Sequence, residues 1–473
     1  YALVPLLSGK EKRDQGALVG NVLFTFGCFA VVASGILWLF LPTIAPHLFP
    51  GFSSDVLKDT ITLSRIMLLQ PILLGLSSIA TSVVQVLRQF VIYALAPILY
   101  NIGIIVGALF FYPIWGITGL AWGVVFGAAL HLFAQVIPII GHAKHVVRPT
   151  IATLRSSVME VALPSMPRAL ALSAQQVLLL VFAGIASLTS VGGVAALSFA
   201  FNLQSVPLTV IGISYAAAVF PALSALFAAK EAEGFVREVW ASVRHIIFWT
   251  APAITLTIVL RAHIVRLILG SGAFSWADTR LTAAILALFA VSLIGQSVIL
   301  IFSRAYYAAH KTFVPILVNV SGAALAAVGA YTGVVWIAHA DEARFFMEAL
   351  LRVGDVAGTP ALMIPAAYSL AIVAASIVFA YLFARDFGFD EKIWRTLGSS
   401  FAASIVGAGG AYALLQLLGP VLPLATTMGL LAQSAAAGIA GLAIWAVALY
   451  LLKSEEFSEI RTVVFGKFMR FMA

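Results

Sequence analysis

Twelve runs of about twenty or more mostly apolar residues follow one another along the chain. They fall at roughly 17–41, 61–84, 93–112, 114–140, 159–186, 195–222, 243–262, 279–303, 313–338, 361–384, 394–418 and 424–452. That is the length an α-helix needs to cross the hydrocarbon core of a bilayer. In hydrocarbon every backbone N–H and C=O must be satisfied within the protein, so only helices and closed β-barrels span. Barrel strands are short and alternate in polarity, whereas these runs are long and uniformly apolar. Composition agrees. The residues are 62% hydrophobic and 10% charged, against roughly a quarter charged in a soluble domain. The chain is therefore expected to be an all-α polytopic membrane protein with about twelve visible transmembrane helices.

Basic residues set an expected orientation. If the loop with Lys10, Lys12 and Arg13 is placed on one side and the spans alternate, that side collects 19 of the 27 Lys and Arg. The opposite side holds Lys58, Arg65, Arg261, Arg266, Arg280, Arg344 and Arg352, and Arg168 falls within a span. The richer side is expected to be cytoplasmic, with both visible ends on it. The net charge of +8 then reflects a face meeting anionic lipid headgroups, and no nucleic-acid partner is implied. The chain starts at Tyr1 with a stretch that reads as the tail of a helix entering a charged loop. Upstream spans are expected to be absent from this sequence. The single cysteine, Cys28, lies in an apolar run and is expected to be a packing residue.

The chain contains an internal echo. APILYNIGIIVGAL (96–109) matches VPILVNVSGAALAA (314–327), with Pro97 over Pro315 and Asn101 over Asn319. Same-sense repeats imply two pseudo-symmetric lobes about an axis along the membrane normal. The expected organisation is residues 1–150 as the remainder of an N-terminal lobe and 151–390 as a C-terminal lobe. Residues 391–473 form a terminal helix pair with a cytoplasmic amphipathic tail. Two amphipathic segments, 341–353 and 454–471, read as interfacial helices.

Against this apolar background, LSFAFNLQSVPLTVIG (197–212) keeps Ser198, Asn202, Gln204, Ser205 and Thr209. At helical spacing Ser198, Asn202, Ser205, Thr209 and Gly212 form one stripe. Pro207 frees a carbonyl about a turn earlier. In the preceding span Ser165, Arg168 and Gln175 or Gln176 share a face. Polar groups at membrane depth face a bundle interior or a wet cavity. The candidate substrate-binding residues are thus Arg168, Gln175, Gln176, Ser198, Asn202, Gln204 and Ser205. The competing reading of each Ser and Thr is interhelical glue, at about 0.6 kcal/mol apiece. For Asn202 and Gln204 the two readings weigh evenly, and Arg168 has the alternative of snorkelling to the cytoplasmic interface.

Signals for an enzyme are absent from the sequence. It has no phosphate-cradling Gly-x-x-x-x-Gly-Lys-Ser/Thr, no Gly-x-Ser-x-Gly elbow and no paired carboxylates in a span. No histidine set has metal-ligand spacing, so neither a metal nor a cofactor is expected.

Several segments in order carry a resemblance. They are LSRIMLLQPILLGLSSIATSVVQVLRQF (63–90), APILYNIGIIVGALF (96–110), GITGLAWGVVFGAALHLFAQ (116–135), LPSMPRALALSAQQV (163–177), FNLQSVPLTVIGISYAAAVFPALS (201–224), RLILGSGAFSWADTRLT (266–282) and SRAYYAAHKTFVPI (303–316). Together these resemble the MurJ/MviN-type lipid II flippases of the multidrug/oligosaccharidyl-lipid/polysaccharide exporter superfamily. The resemblance implies fourteen spans, of which the first one to two precede Tyr1. It also implies a cavity between two lobes and a terminal pair with a groove for a lipid tail. The implied activity is alternating-access transfer of the undecaprenyl-pyrophosphate-linked peptidoglycan precursor, lipid II, from inner to outer leaflet of the bacterial inner membrane. The implied partners are a lipid-linked anionic substrate, membrane lipids and the cell-wall synthesis machinery. In the family an arginine on the eighth helix helps hold the diphosphate. Asn202 stands at that position here, and Phe201 stands where an acid is frequent. Charge must then come from Arg168 or from helices upstream of Tyr1, or the cargo differs. The rival readings are a related exporter of another lipid-linked oligosaccharide or a drug-like solute, a membrane scaffold, and a membrane enzyme. GITG (116–119) and GVVFG (123–127) are expected sites of bending or close helix contact.

Overall fold

Prolines and glycines divide and join the helices of this chain. The computed structural model describes Leu3, Leu7 and residues 12–141, 151–190, 192–422 and 426–462. Among these residues there is no strand. The first helices are α1 (Lys12–Leu48), α2 (Ser54–Met67), α3 (Leu69–Val86), α4 (Phe90–Val106), α5 (Tyr112–Trp115), α6 (Ile117–Gly141) and α7 (Ile151–Ser187). Then follow α8 (Gly193–Pro207), α9 (Ser214–Ala228), α10 (Ala232–Leu269), α11 (Trp276–Ala308), α12 (Phe313–Ile337) and α13 (Asp341–Leu351). The last are α14 (Met363–Asp386), α15 (Lys392–Leu418) and α16 (Thr427–Leu451). Wider π-type turns at Gly107–Phe111 and Leu208–Ile213 join α4 to α5 and α8 to α9.

Among the described residues, 11 helical stretches are long and apolar enough to cross a membrane. The remaining expected span, 159–186, lies in α7. Several of that helix's side chains fall outside the described residues, and its Gln175–Ser187 portion is a shorter apolar helix. The run expected as one helix over 61–84 is divided at Leu68 into α2 and α3. Pro71 explains the break. It has no N–H to give, and its ring crowds the carbonyl four residues back, at Met67.

Contacts group the residues into two units, Tyr1–Gln176 and Val177–Ala473. In the first unit, α4 and α6 meet backbone to backbone. A Cβ at Gly103 would lie 2.2 Å from the Gly127 Cα, and one at Gly123 would lie 2.4 Å from the Gly107 Cα. Lipid tails are as apolar as leucine, so no hydrophobic force drives helices together in a bilayer. Close van der Waals approach through small residues does that work. The glycines expected to allow close contact at 119, 123 and 127 do so, and Gly116, at φ +60°, makes the turn before α6. The echoed asparagines make the same bond: Asn101 donates to the Pro97 carbonyl at 3.0 Å and Asn319 to that of Pro315 at 2.7 Å.

In the second unit α11 is buried along its length, from Ala284 and Ile285 through Phe289 to Phe302 and Tyr306. Two aromatic clusters flank it. Phe182, Phe201, Phe289 and Tyr368 pack edge to face. Trp240, Phe302, Phe379 and Phe383 form the second, with the Trp240 indole donating to the Gly388 carbonyl at 3.0 Å. Helices α15 and α16 pair through Gly407, whose added Cβ would lie 2.7 Å from the Gly441 carbonyl oxygen. Glu456 then fastens the segment after α16. It accepts from the hydroxyls of Thr396 at 2.5 Å and Ser454 at 2.9 Å, and it lies 3.6 Å from Arg244, which also pairs with Asp390. These hydroxyls and Arg244 hold the Glu456 carboxyl below its ordinary 4.5, against the opposing pull of burial, which is the largest influence.

Among the described residues, five helix ends turn through a non-glycine residue in the left-handed region, and each of these residues is basic: Arg88, Lys230, His310, Arg352 and Lys453. Paired backbone bonds close each end, as where Arg88 N–H reaches the Gln85 carbonyl at 3.0 Å and Gln89 N–H reaches Val84 at 3.0 Å. The conformation costs roughly 1–2 kcal/mol outside glycine. A cation at a helix C-terminus recovers about 0.3–1 kcal/mol from the macrodipole.

Candidate functional site

The candidate residues belong to α7 and α8, and each is placed within its own unit. On α8 the polar stripe exists. Ser198 and Asn202 are exposed, Ser205 is half-buried, and Thr209 in the following π-turn is exposed. Its hydroxyls are tied to their own helix. Ser198 donates to the Val194 carbonyl at 2.8 Å, Ser205 to Asn202 at 2.6 Å, and Thr209 to Ser205 at 2.8 Å. These donors are spent, leaving oxygen lone pairs to face outward. Asn202 is the member that still offers both a donor pair and an acceptor.

Gln204 lies elsewhere. Two residues at about 100° each place it on nearly the opposite side of the helix from Asn202. There it is 1% exposed, with neither amide atom hydrogen-bonded. Its neighbourhood is bracketed by two contacts to α11. Phe201 meets Phe289 at 5.6 Å, and a Cβ at Gly212 would lie 2.7 Å from the Ser297 hydroxyl, which is itself buried without a partner. Gln204 is thus an interior residue of the second unit, separate from the exposed stripe. Ser297 escaped notice in the sequence, where it sits in an apolar run with no periodic signal.

On α7, Gln175 and Gln176 are exposed. Arg168 lies on the same helix, but its side chain is outside the described residues. Neither the α8 stripe nor the described candidate residues of α7 carry a positive charge. They can donate to and accept from a polar headgroup, and they cannot neutralise a phosphate.

The first unit contains a polar pair that the sequence reading passed over. His131, inside α6, is half-buried and bonds to the buried Ser77 hydroxyl at 2.7 Å. Close by in the same unit, Gln70 donates to the Tyr100 hydroxyl at 2.8 Å. Arg65 stacks at 4.1 Å over Trp38 and donates to its carbonyl. Arg304 lies 5.4 Å from the Phe220 ring. Cys28, expected to pack, is exposed on α1. Among the described residues no group of His, Cys, Asp and Glu is arranged to hold a metal.

Comparison with known proteins points one way. The family described as "Lipid II flippase MurJ" matches residues 1–422. A lipid II flippase MurJ of Burkholderia cenocepacia is 23% identical over 361 residues, covering 72% of this chain and 68% of the relative. A probable lipid II flippase MurJ of Rhizobium tropici is 27% identical over 332 residues, covering 66% of this chain and 61% of the relative. The match thus spans between 61% and 68% of these relatives' lengths. Among solved structures, lipid II flippase MurJ in an inward closed conformation superposes with TM-score 0.70 at 19% identity, covering 98% of this chain and 87% of that one. An inward-facing multidrug resistance MATE family transporter of the MOP superfamily gives 0.66 at 13% identity, covering 84% and 86%.

Proposed function

The chain belongs to the lipid II flippase MurJ family, and we propose that it moves an undecaprenyl-pyrophosphate-linked peptidoglycan precursor from the inner to the outer leaflet of a bacterial inner membrane. The observation that carries this reading is the family match over 1–422, joined to an exposed polar stripe on an otherwise apolar membrane helix. The headgroup of such a cargo is large and polar, and its unaided passage through hydrocarbon is prohibitive. A polar wall exposed to one side and then the other lowers that barrier while the polyprenyl tail stays in lipid.

In this reading Ser198, Asn202 and Ser205, with Gln175, Gln176 and Arg168, line the headgroup path. Asn202 serves by hydrogen bonding where family members use an arginine, and the anion's charge is met elsewhere. The visible ends lie in the cytoplasm, as the distribution of Lys and Arg supports. Residues 1–150 and 151–390 act as the two lobes, residues 391–473 form the terminal pair and tail, and the cell-wall synthesis machinery is the partner that consumes the cargo. The work is transport, with no bond made or broken in the cargo.

Depletion of the protein in its host, scored for lipid II on each leaflet, is the test. The expected result is accumulation on the inner leaflet and loss from the outer. Normal export on depletion, or accumulation of a different lipid-linked saccharide, would overturn the assignment.

A further inference from the structure

One end of the second unit carries five arginines, and they divide by what they touch. Arg280 is committed: it holds Asp355 through two bonds of 2.7 and 2.5 Å. Arg344 is committed to Glu348 at 3.5 Å and Asp341 at 3.9 Å. Asp278 is occupied at the start of α11, where it caps with Ser275. Arg261, Arg266 and Arg352 have no carboxylate partner among the described residues. Their guanidinium groups reach only neutral oxygens: the Ile258 carbonyl at 2.8 Å, the Phe274 carbonyl at 3.1 Å and the Tyr412 hydroxyl at 3.4 Å.

Arg261 follows Leu260, which packs with Ala411 beside Tyr412, the residue that Arg352 reaches; Arg261 is half-buried and Arg352 exposed. Two like charges brought toward one hydroxyl oppose each other until an anion joins them. The backbone also places Arg352 with care. It sits in the left-handed region at φ +60°, and its carbonyl is held by Arg280.

The depth of the site indicates the anion. Helix α13, which ends just before Arg352, turns Phe345, Phe346 and Leu350 outward at 73%, 64% and 60% exposure. Its other side carries the Arg344–Glu348 pair. A helix with one apolar and one charged face is of the kind that lies in the headgroup plane; on that placement the arginine at its end stands level with the phosphates. A guanidinium matches phosphate with two parallel N–H donors, and Tyr412 adds a hydroxyl.

We propose that Arg261, Arg352 and Tyr412 form a binding site for the phosphate of a membrane lipid headgroup. On the orientation given above the lipid is in the outer leaflet. The site is separate from the α8 stripe, and the inference goes beyond the transport reading.

The test uses the whole protein in nanodiscs of phosphatidylcholine with a minor share of phosphatidylglycerol, with retained lipid read by native mass spectrometry. Wild type is expected to keep phosphatidylglycerol several-fold above its share. Arg261→Gln with Arg352→Gly should bring retention down to that share, whereas Arg344→Gln, whose guanidinium already has partners, should leave it unchanged. Glycine suits the left-handed position, so the double variant does not lose binding through a strained backbone. Added undecaprenyl diphosphate distinguishes the sources. Displacement of phosphatidylglycerol from wild type marks the exported lipid as occupant, and no displacement marks a bulk phospholipid. Equal retention by wild type and double variant, or equal enrichment of phosphatidylcholine, overturns the site. A double variant that loses the lipid yet still exports precursor leaves the transport reading intact.

Discussion

Replacing Gly123 by alanine should weaken the first unit, while the same change at Gly35 should strengthen it. The two sites share one term. In a helix interior alanine is better than glycine by roughly 0.5–1 kcal/mol, because glycine has more backbone freedom to lose. At Gly35 that is the whole effect, since an added Cβ meets nothing within 4 Å. At Gly123 the new Cβ would lie 2.4 Å from the Gly107 Cα, about 1 Å inside the 3.4 Å at which ordinary contact begins. Backbone cannot turn aside as a side chain does, so α4 and α6 must separate. That motion loosens the Gly103–Gly127 contact on the same seam. Overpacking of this kind costs about 1–3 kcal/mol. The helix term is common to both sites and cancels, so the gap between the two variants is the overpacking cost itself. Thermal unfolding in detergent, followed by loss of the monodisperse peak, measures it. Gly123→Ala should melt below wild type and Gly35→Ala at or above it. Gly107→Ala should behave as Gly123→Ala does, because each glycine faces the other. A Gly123→Ala protein as stable as Gly35→Ala would refute the seam.

Asn202→Leu should impair export of precursor with insertion and folding unchanged, checked by a translocation assay beside a melting curve; full activity would remove Asn202 from the path. Gln204→Leu should leave stability unchanged or raise it by about 1–3 kcal/mol, because it removes a buried amide with no partner; a large loss of stability would show that the amide is satisfied by water or by an unseen contact. The Glu456 carboxyl is held below its ordinary value, so its share of stability is present above about pH 4.5 and is lost as pH falls through the lowered folded value. Protection factors for amide exchange over 455–462 should therefore fall on acidification, and Glu456→Gln should lower them already at neutral pH and flatten the pH dependence.

Much of the fold was legible because a bilayer imposes a one-dimensional rule. A chain that crosses hydrocarbon must present about twenty apolar residues at a time, and that rule can be read without knowing any contact. The runs, the helical class, the polar stripe Ser198–Asn202–Ser205 and the repeated Pro–Asn spacing at 97–101 and 315–319 were all local facts. The division of 61–84 at Leu68 was equally local, since Pro71 stood in the sequence, but its effect on the backbone was not drawn out. What the runs left open was which way each residue faces. Gln204 and Asn202 are two positions apart and chemically alike, yet one is enclosed and the other exposed.

Sequence by itself thus determined the solvent this protein lives in, the elements it builds and the family it resembles, because those follow from periodicity and composition. Only the tertiary structure decided which glycines touch backbone, which arginines find an acid and which end without one. Those outcomes depend on residues far apart in the chain, such as Arg352 with Tyr412 or Arg244 with Glu456, meeting at distances of a few ångströms. No spacing rule along a single helix encodes such meetings.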